Sequence, residues 1–335
     1  MEEQVDIFLT WVDDTDVQWQ QEKNIYANFA TKIQKDNNGI QRYRNWENLK
    51  YVFRGIEKYL PWVRKVFFVT CGQIPNFLDS ENEKLVLIHH EDYIPQEYLP
   101  TFNSNTIEMN LFRIEELAEN VLLFNDDTFI IDFIEKEYFL NKGLPGDEAI
   151  ERIIGNPPFN HAHCMVNNAY LINKHFDKRN VNRENLGKWY SLAYGKNIFR
   201  NIFMNYFKAF EGLKNPHEPL IIKKSILSKL WELEPEILHE ASKNKFRNLT
   251  DITWSVVRYW NIFEGNFSPR MHRGRALTVT DENYRDIKKM ICEKRYPIIS
   301  IDEDYENSLC NIDEAKQQIN SALEFVLPEK CSFEK

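Results

Sequence analysis

The sequence predicts an α/β protein. A Rossmann-like, doubly wound sheet fills residues 1–150, a mainly helical part spans 151–295, and a strand and helix at 296–335 pack back on the core to make one integrated unit. Three observations carry that expectation. Short apolar runs recur early in the chain, each emptying into a polar loop, with helical periodicity between them. Beyond residue 150 the periodicity becomes mainly helical. The 335 residues, 43% hydrophobic and 14% aromatic, can bury a large core.

In chain order, Val5–Thr10 alternates and then runs apolar, a first strand, and Trp11-Val12-Asp13-Asp14-Thr15-Asp16 follows as a polar loop. A strand emptying into an acidic loop is how an α/β sheet begins a ligand site; a solvated turn has the same composition. Residues 17–40 are polar, partly helical and expected to be mobile. Over 42–59, Leu49, Val52, Phe53, Ile56 and Tyr59 recur at helical spacing and define one buried face. Arg42, Arg44 and Asn45 cluster before or within the first turn, where free N–H groups and guanidinium charge suit a phosphate.

Residues 65–70 and 84–88 are the second and third strands, the latter ending at His89-His90-Glu91-Asp92. Adjacent histidines in a strand point to opposite faces, so at most one easily serves as a metal ligand. Residues 99–108 form a polar loop entering a helix whose apolar set is Met109, Leu111, Phe112, Ile114 and Leu117. Ser104 or Asn105 is its expected cap, and Glu108 falls in its first turn, where the helix dipole favours a carboxylate.

That helix leads into Leu122-Leu123-Phe124-Asn125-Asp126-Asp127-Thr128-Phe129-Ile130-Ile131, two apolar runs meeting at a polar hinge. Two adjacent carboxylates repel unless protonated or neutralised, and an oxygen-liganded divalent cation neutralises them well. Taken alone, the pair is also an ordinary acidic turn.

In the second half, 221–238 and 250–259 read as helices, 295–301 as a late strand and 312–325 as a C-terminal helix. His161 and His163 form a His-x-His pair. Residues 189–196 and 200–210 make an aromatic and basic stretch, suited either to docking a sugar chain or membrane-bound acceptor or to aromatic packing.

Lys plus Arg number 42 against 51 Asp plus Glu, a formal net charge of -9, which argues against non-specific nucleic-acid binding. No apolar run approaches the roughly 20 residues needed to span a bilayer and no leader precedes Asp6, so a soluble, cytoplasmic chain is expected. The five cysteines are scattered without Cys-x-x-Cys spacing and are expected to be reduced.

Several stretches carry a resemblance. Residues 6–13 (Asp-Ile-x-x-Thr-Trp-Val-Asp), Asn48-Leu49-Lys50-Tyr51 to Pro61-Trp62-Val63-Arg64, Val69 to Pro75, Leu99 to Glu108 and Phe124-Asn125-Asp126-Asp127 resemble, in order, the first two conserved regions of the Stealth family. Asn215-Pro216-His217-Glu218-Pro219 with Lys245-Phe246-Arg247-Asn248-x-x-Asp251 is similar to the third, and Phe325 to Glu334 to the fourth. The long insertions of the animal enzyme are missing, which leaves recognition of a protein substrate without support.

The resemblance implies a glycosyltransferase-A-like, nucleotide-sugar-binding fold. The implied activity moves a sugar-1-phosphate from a UDP-sugar to a hydroxyl of a glycan or lipid-linked oligosaccharide, releasing UMP. It implies His217, Arg247, Glu108, Asp126 and Asp127 as catalytic residues, with Mg2+ or Mn2+ on Asp126 and Asp127. His217 agrees with the family's spacing to Arg247 better than His161 does. Asp6, Thr10, Trp11, Asp14, Arg42, Arg44, Asn45, Gln73, Asn103, Ser104 and Asn105 are the expected substrate residues. Asp6 or Asp14 is a further candidate for the cation, and His217 or Glu108 for the acceptor's proton. Peripheral contact with the inner face of the membrane follows from where lipid-linked acceptors lie. Two rivals share these parts: a metal-dependent glycosyltransferase releasing UDP, and a saccharide-binding module without turnover.

Overall fold

The computed structural model describes residues 3–30, 39–155, 162–303 and 309–335. β1 (Val5–Thr10), β2 (Val66–Thr70), β3 (Leu85–His89) and β4 (Asn120–Asn125) run parallel in one sheet. β5 (Thr128–Ile130) leaves it at once, and β6 (Leu220–Lys223) returns to its edge antiparallel to β4. β7 (Gly274–Val279) and β8 (Ile298–Glu303) join β5 in a second, three-stranded sheet.

Across the large sheet the order is β3-β2-β1-β4-β6. The chain steps outward from β1 to β3 and then crosses back to lay β4 on the other side of β1, with Thr10 in register with Asn125. That reversal opens a crevice outside the carboxyl ends of β1 and β4, where open α/β sheets bind ligands. Both faces of the sheet are covered, which explains its near-continuous apolar strands. Ile7, Leu9, Phe68, Leu122 and Phe124 enter one core; Phe8, Phe67, Val69, Val121 and Leu123 enter the other.

α1 (Val17–Ala27) is capped by Asp16, whose carboxylate accepts the Gln18 and Trp19 N–H groups; the rest of the stretch expected to be mobile includes 31–38, outside the described residues. α2 (Leu49–Tyr59) packs on the first face, and Gly55 sits where the Ile130 carbonyl of β5 leaves no room for a Cβ. α2 starts seven residues later than the expected helix, so Arg42, Arg44 and Asn45 lie ahead of its first turn rather than in it. α3 (Ser104–Met109) is capped by Asn103, not Ser104 or Asn105, and Glu108 is in its second turn, buried.

The helical side includes α4 (Ala162–His175), α5 (Ile198–Met204), α6 (Lys224–Leu233), α7 (Pro235–Ser242) and α8 (Ser255–Phe263), with further short helices between them. The single helix expected over 221–238 is therefore β6, α6 and α7. Leu220–Lys223 pairs with β4, and Pro235, which cannot continue a preceding helical turn, starts the new helix at its first position.

α9 (Tyr284–Cys292) and α10 (Ile312–Val326) pack together beside the small sheet. Arg54 of α2 fastens the tail: its Nε and Nη2 donate to the two Glu334 carboxylate oxygens at 2.7 and 3.0 Å, and its Nη1 to the Leu327 carbonyl at 2.7 Å. All five cysteines are free. No helix among the described residues is long and apolar enough to cross a membrane.

Candidate active site

A cavity of about 900 Å3 opens over the carboxyl ends of β1 and β4. Thr10 and Trp11 reach it from the end of β1, Asp126 and Asp127 from the turn between β4 and β5, and Ser104, Asn105 and Glu108 from α3. Arg42 lines it from a short 3-10 turn, His217 from the segment before β6, and Arg247 from the loop after α7. The two halves of the chain thus deliver the expected catalytic residues to one space.

Six expected substrate residues stand outside its lining, each engaged elsewhere. Asp6 lies at the other end of β1, buried; Arg64 donates to both its carboxylate oxygens and the Ala118 N–H to one of them. Four residues of strand, about 13 Å, separate it from Thr10, so it does not share a cation with Asp126. The Asp14 carboxylate accepts the Asn45 N–H at 3.0 Å, which fixes Asp14 and Asn45 to each other. Arg44 pairs with Glu303 at 3.2 Å.

Gln73 staples the loops after β1 and β2, accepting the Asp13 N–H and donating to the Asp13 carbonyl and the Asp16 carboxylate. Asn103 caps α3 and donates to buried Asp251. These residues shape the walls from behind. His161 is outside the described residues, and His163 does not line the cavity. His90 lines it, with burial pushing its pKa down to about 4, but the described residues hold no group of three or more His, Cys, Asp or Glu side chains able to bind a metal.

Asp251, within the third quoted motif, organises one wall. Its carboxylate accepts from the amides of Asn103 and Asn105 at 2.9 Å each, from Asn244 at 2.8 Å and from the Asn248 N–H at 3.1 Å. This ties the Arg247 loop to the start of α3, and Arg247 Nη2 donates to Ser104 Oγ at 3.0 Å. Phe102 stacks on Phe246 across the same joint.

His217 stands in the left-handed region at φ 49, which a non-glycine residue occupies only when its surroundings impose it. Its carbonyl accepts from Ser300 of β8 at 2.7 Å. The next residue, Glu218, is buried and accepts from Tyr138 at 2.6 Å, Arg270 at 3.0 Å and the Gly274 N–H at 2.8 Å, with His272 at 2.6 Å. Burial alone would raise the Glu218 pKa; His272 and Arg270 hold it down at about 2. The fixed charge beside His217 therefore anchors its strained backbone.

Electrostatics mark the same residues. Burial pushes Glu108 up to about 7 despite the pull of Arg247. Burial, reinforced by Asp127, pushes Asp126 up to about 7. The Asp127 carboxylate, 3.6 Å from His217 Nε2, raises the imidazole's pKa, with Asp302 adding to it. At 3.6 Å this is an ion-pair separation, longer than a hydrogen bond. Asp302 lines the cavity from the end of β8, and its Oδ1 is buried without a hydrogen-bond partner. Oxygen donors on Asp126 and Asp127 fit a hard divalent cation whose remaining ligands would be substrate phosphates and water, since among the described residues no third His, Cys, Asp or Glu joins them in a metal-binding group.

A family model described as Stealth protein CR2, conserved region 2, matches residues 42–145, the stretch from Arg42 through α3 to the Asp126-Asp127 turn. The chain is also 39% identical over 334 residues to the capsular polysaccharide phosphotransferase WcwK of Streptococcus pneumoniae, covering 99% of this chain and 98% of that one. The chain belongs to the Stealth family. Other relatives are the exopolysaccharide phosphotransferase cps2G of Lactiplantibacillus plantarum, 34% identical over 99% of this chain and 96% of the relative, and the receptor polysaccharide phosphotransferase WefC of Streptococcus gordonii, 31% identical over the full length of both. This Stealth protein is accordingly an enzyme that transfers phosphate-containing groups, not a binding module.

Proposed function

We propose that this Stealth protein moves hexose- or N-acetylhexosamine-1-phosphate from a UDP-sugar to a hydroxyl of a glycan acceptor, releasing UMP and leaving a phosphodiester in a bacterial surface polysaccharide. One observation supports this most: Glu108, Asp126, Asp127, His217 and Arg247 converge on a single cavity at the switch point of the sheet. The relatives' names add capsular and exopolysaccharide phosphotransfer.

In this reading the acceptor oxygen attacks the β-phosphorus, the bond from that phosphorus to the bridging oxygen breaks, and UMP departs with the electron pair. The sugar's anomeric bond is untouched. Asp126 and Asp127 would hold Mg2+ or Mn2+, which supplies positive charge across the diphosphate. Arg247, held by Ser104, donates to the phosphoryl oxygens, where guanidinium geometry matches two oxygens at once. Trp11 offers a flat apolar surface to the nucleotide and Arg42 a second positive charge to the phosphates.

Two groups are suited to take the acceptor's proton: Glu108, whose pKa near 7 matches the task, and His217, made more basic by Asp127. Dependence of turnover on pH separates them, since the fall in rate on the acidic side disappears in whichever of Glu108→Gln and His217→Ala removes the base. The reading as a whole is tested by incubating the protein with UDP-GlcNAc, UDP-GalNAc and related donors plus a glycan acceptor. UMP and a phosphodiester signal in phosphorus NMR are expected. UDP with a phosphorus-free linkage would support the glycosyltransferase rival.

A further inference from the structure

α5 is amphipathic in the wrong direction for a core helix. Phe199, Ile202 and Phe203 recur at i, i+3 and i+4, the spacing that normally faces a core, and Tyr206 in the turn just after the helix continues it. They are instead 74%, 56%, 63% and 83% exposed. The side turned inward carries Asn201, fully buried, whose amide donates to the carbonyls of Ala149 and Trp189 at 2.6 Å each and whose Oδ1 accepts the Glu151 N–H at 2.9 Å. A buried asparagine with three hydrogen bonds fixes the helix in this rotation, so the apolar stripe cannot roll inward without orphaning polar groups. Leu192, on the preceding turn, is also exposed.

The charge around the stripe is equally one-sided. From Asn185 to Phe210 there is no Asp or Glu, in a chain with 51 of them and a net charge of -9. Lys196, Arg200 and Lys208 are exposed there and make no ion pair among the described residues. None of the stripe residues lines the catalytic cavity. The Phe210 end of this stretch leads within a few residues to Asn215 and His217, which do.

We infer that the α5 face is a membrane-docking surface that inserts Phe199, Ile202, Phe203 and Tyr206 among the headgroups of an anionic phospholipid bilayer, with Lys196, Arg200 and Lys208 on lipid phosphates. A solvent-facing aromatic stripe with flanking cations is how a peripheral protein binds such a surface. A saccharide would instead need these rings to line a cleft, and protruding side chains on a helix do not make one. The inference deepens the proposed function by holding the cavity near lipid-linked acceptors, yet its test involves no turnover.

The experiment is co-sedimentation of the full chain with vesicles of phosphatidylglycerol and phosphatidylcholine, and with phosphatidylcholine alone. Binding to the anionic vesicles, weakened by salt and lowered at least ~10-fold in Phe199→Ser/Phe203→Ser and in Lys196→Glu/Arg200→Glu, is expected. The variants' thermal midpoints and turnover on a water-soluble acceptor should match the wild type, since these side chains are exposed and none lines the cavity. Failure of the wild type to bind anionic vesicles would overturn the inference, as would unaltered binding by the folded variants. A wild-type dimer that dissociates in Phe199→Ser/Phe203→Ser would overturn it too, by assigning the stripe to a second copy.

Discussion

At the scale of single residues, the site is defined by groups held away from their ordinary chemistry. Glu108 is the clearest. Its pKa rises from 4.5 to about 7 through burial, so the folded protein binds its proton more tightly than the unfolded chain. The sign follows: below pH 4.5 both states are protonated and nothing is lost. Above it the unfolded state ionises first, and the penalty grows until pH 7, reaching about 3 kcal/mol at roughly 1.4 kcal/mol per unit. Glu108→Gln should therefore unfold at a higher temperature than the wild type at pH 8, with the gain shrinking toward pH 5, while turnover falls at least ~100-fold. Thermal melts at the two pH values check this; a pH-independent difference would contradict it. Asp126→Asn, Asp127→Asn, His217→Ala and Arg247→Ala should each lower turnover by at least ~100-fold, as expected for a charge-stabilising or proton-transferring group, with near-wild-type circular dichroism. A folded variant at full activity would remove that residue from the site. The sequence exposed these five through ordered motifs and local chemistry. It did not exclude Asp6, although Asp6 stands four residues before the end of the strand whose carboxyl end forms the site.

Among the elements, the strand-turn signature was legible but its partners were not. Residues 122–131 read as two apolar runs about an acidic turn, and β4 and β5 flank Asp126 and Asp127. Nothing local told that the two strands enter different sheets, because partner choice rests on long-range packing. β8 repeats the same signature, an apolar run ending in Asp302 and Glu303; apolar content marks this strand only to Ile301, and Asp302 is the very next residue. The helix starts slipped where caps and turn networks, rather than apolar spacing, decide them, as at Asn103 and before Ser255. Asp251 is the most consequential of these network residues. Asp251→Ala would leave buried amides of Asn103 and Asn105 without their acceptor, at about 1–3 kcal/mol each. The expected result is a lower denaturant midpoint together with a raised KM for the donor, because the Arg247 loop loses its tie to α3. An unchanged KM in the folded variant would show that Asp251 does not position Arg247.

For the whole molecule, sequence-distant pieces close on one another. β6 completes the sheet begun by β1, β8 pairs with β5, and the tail returns to α2 through Arg54 and Glu334. Arg54→Ala strands a buried carboxylate and frees the tail from α2; a loss of about 3–5 kcal/mol in denaturant unfolding is expected, and a loss below 1 kcal/mol would show the tail to be incidental. The α/β class and its helical second part were readable from periodicity, whereas this interleaving was not, since pairings across hundreds of residues leave no local trace. In the proposed function all these pieces serve cleavage between two phosphates. Its most direct test is a UDP-sugar radiolabelled at the β-phosphorus, with the label followed after complete turnover. Label in the glycan product and unlabelled UMP in solution are expected; label recovered wholly in UDP, with an unlabelled glycan, would contradict cleavage between the phosphates.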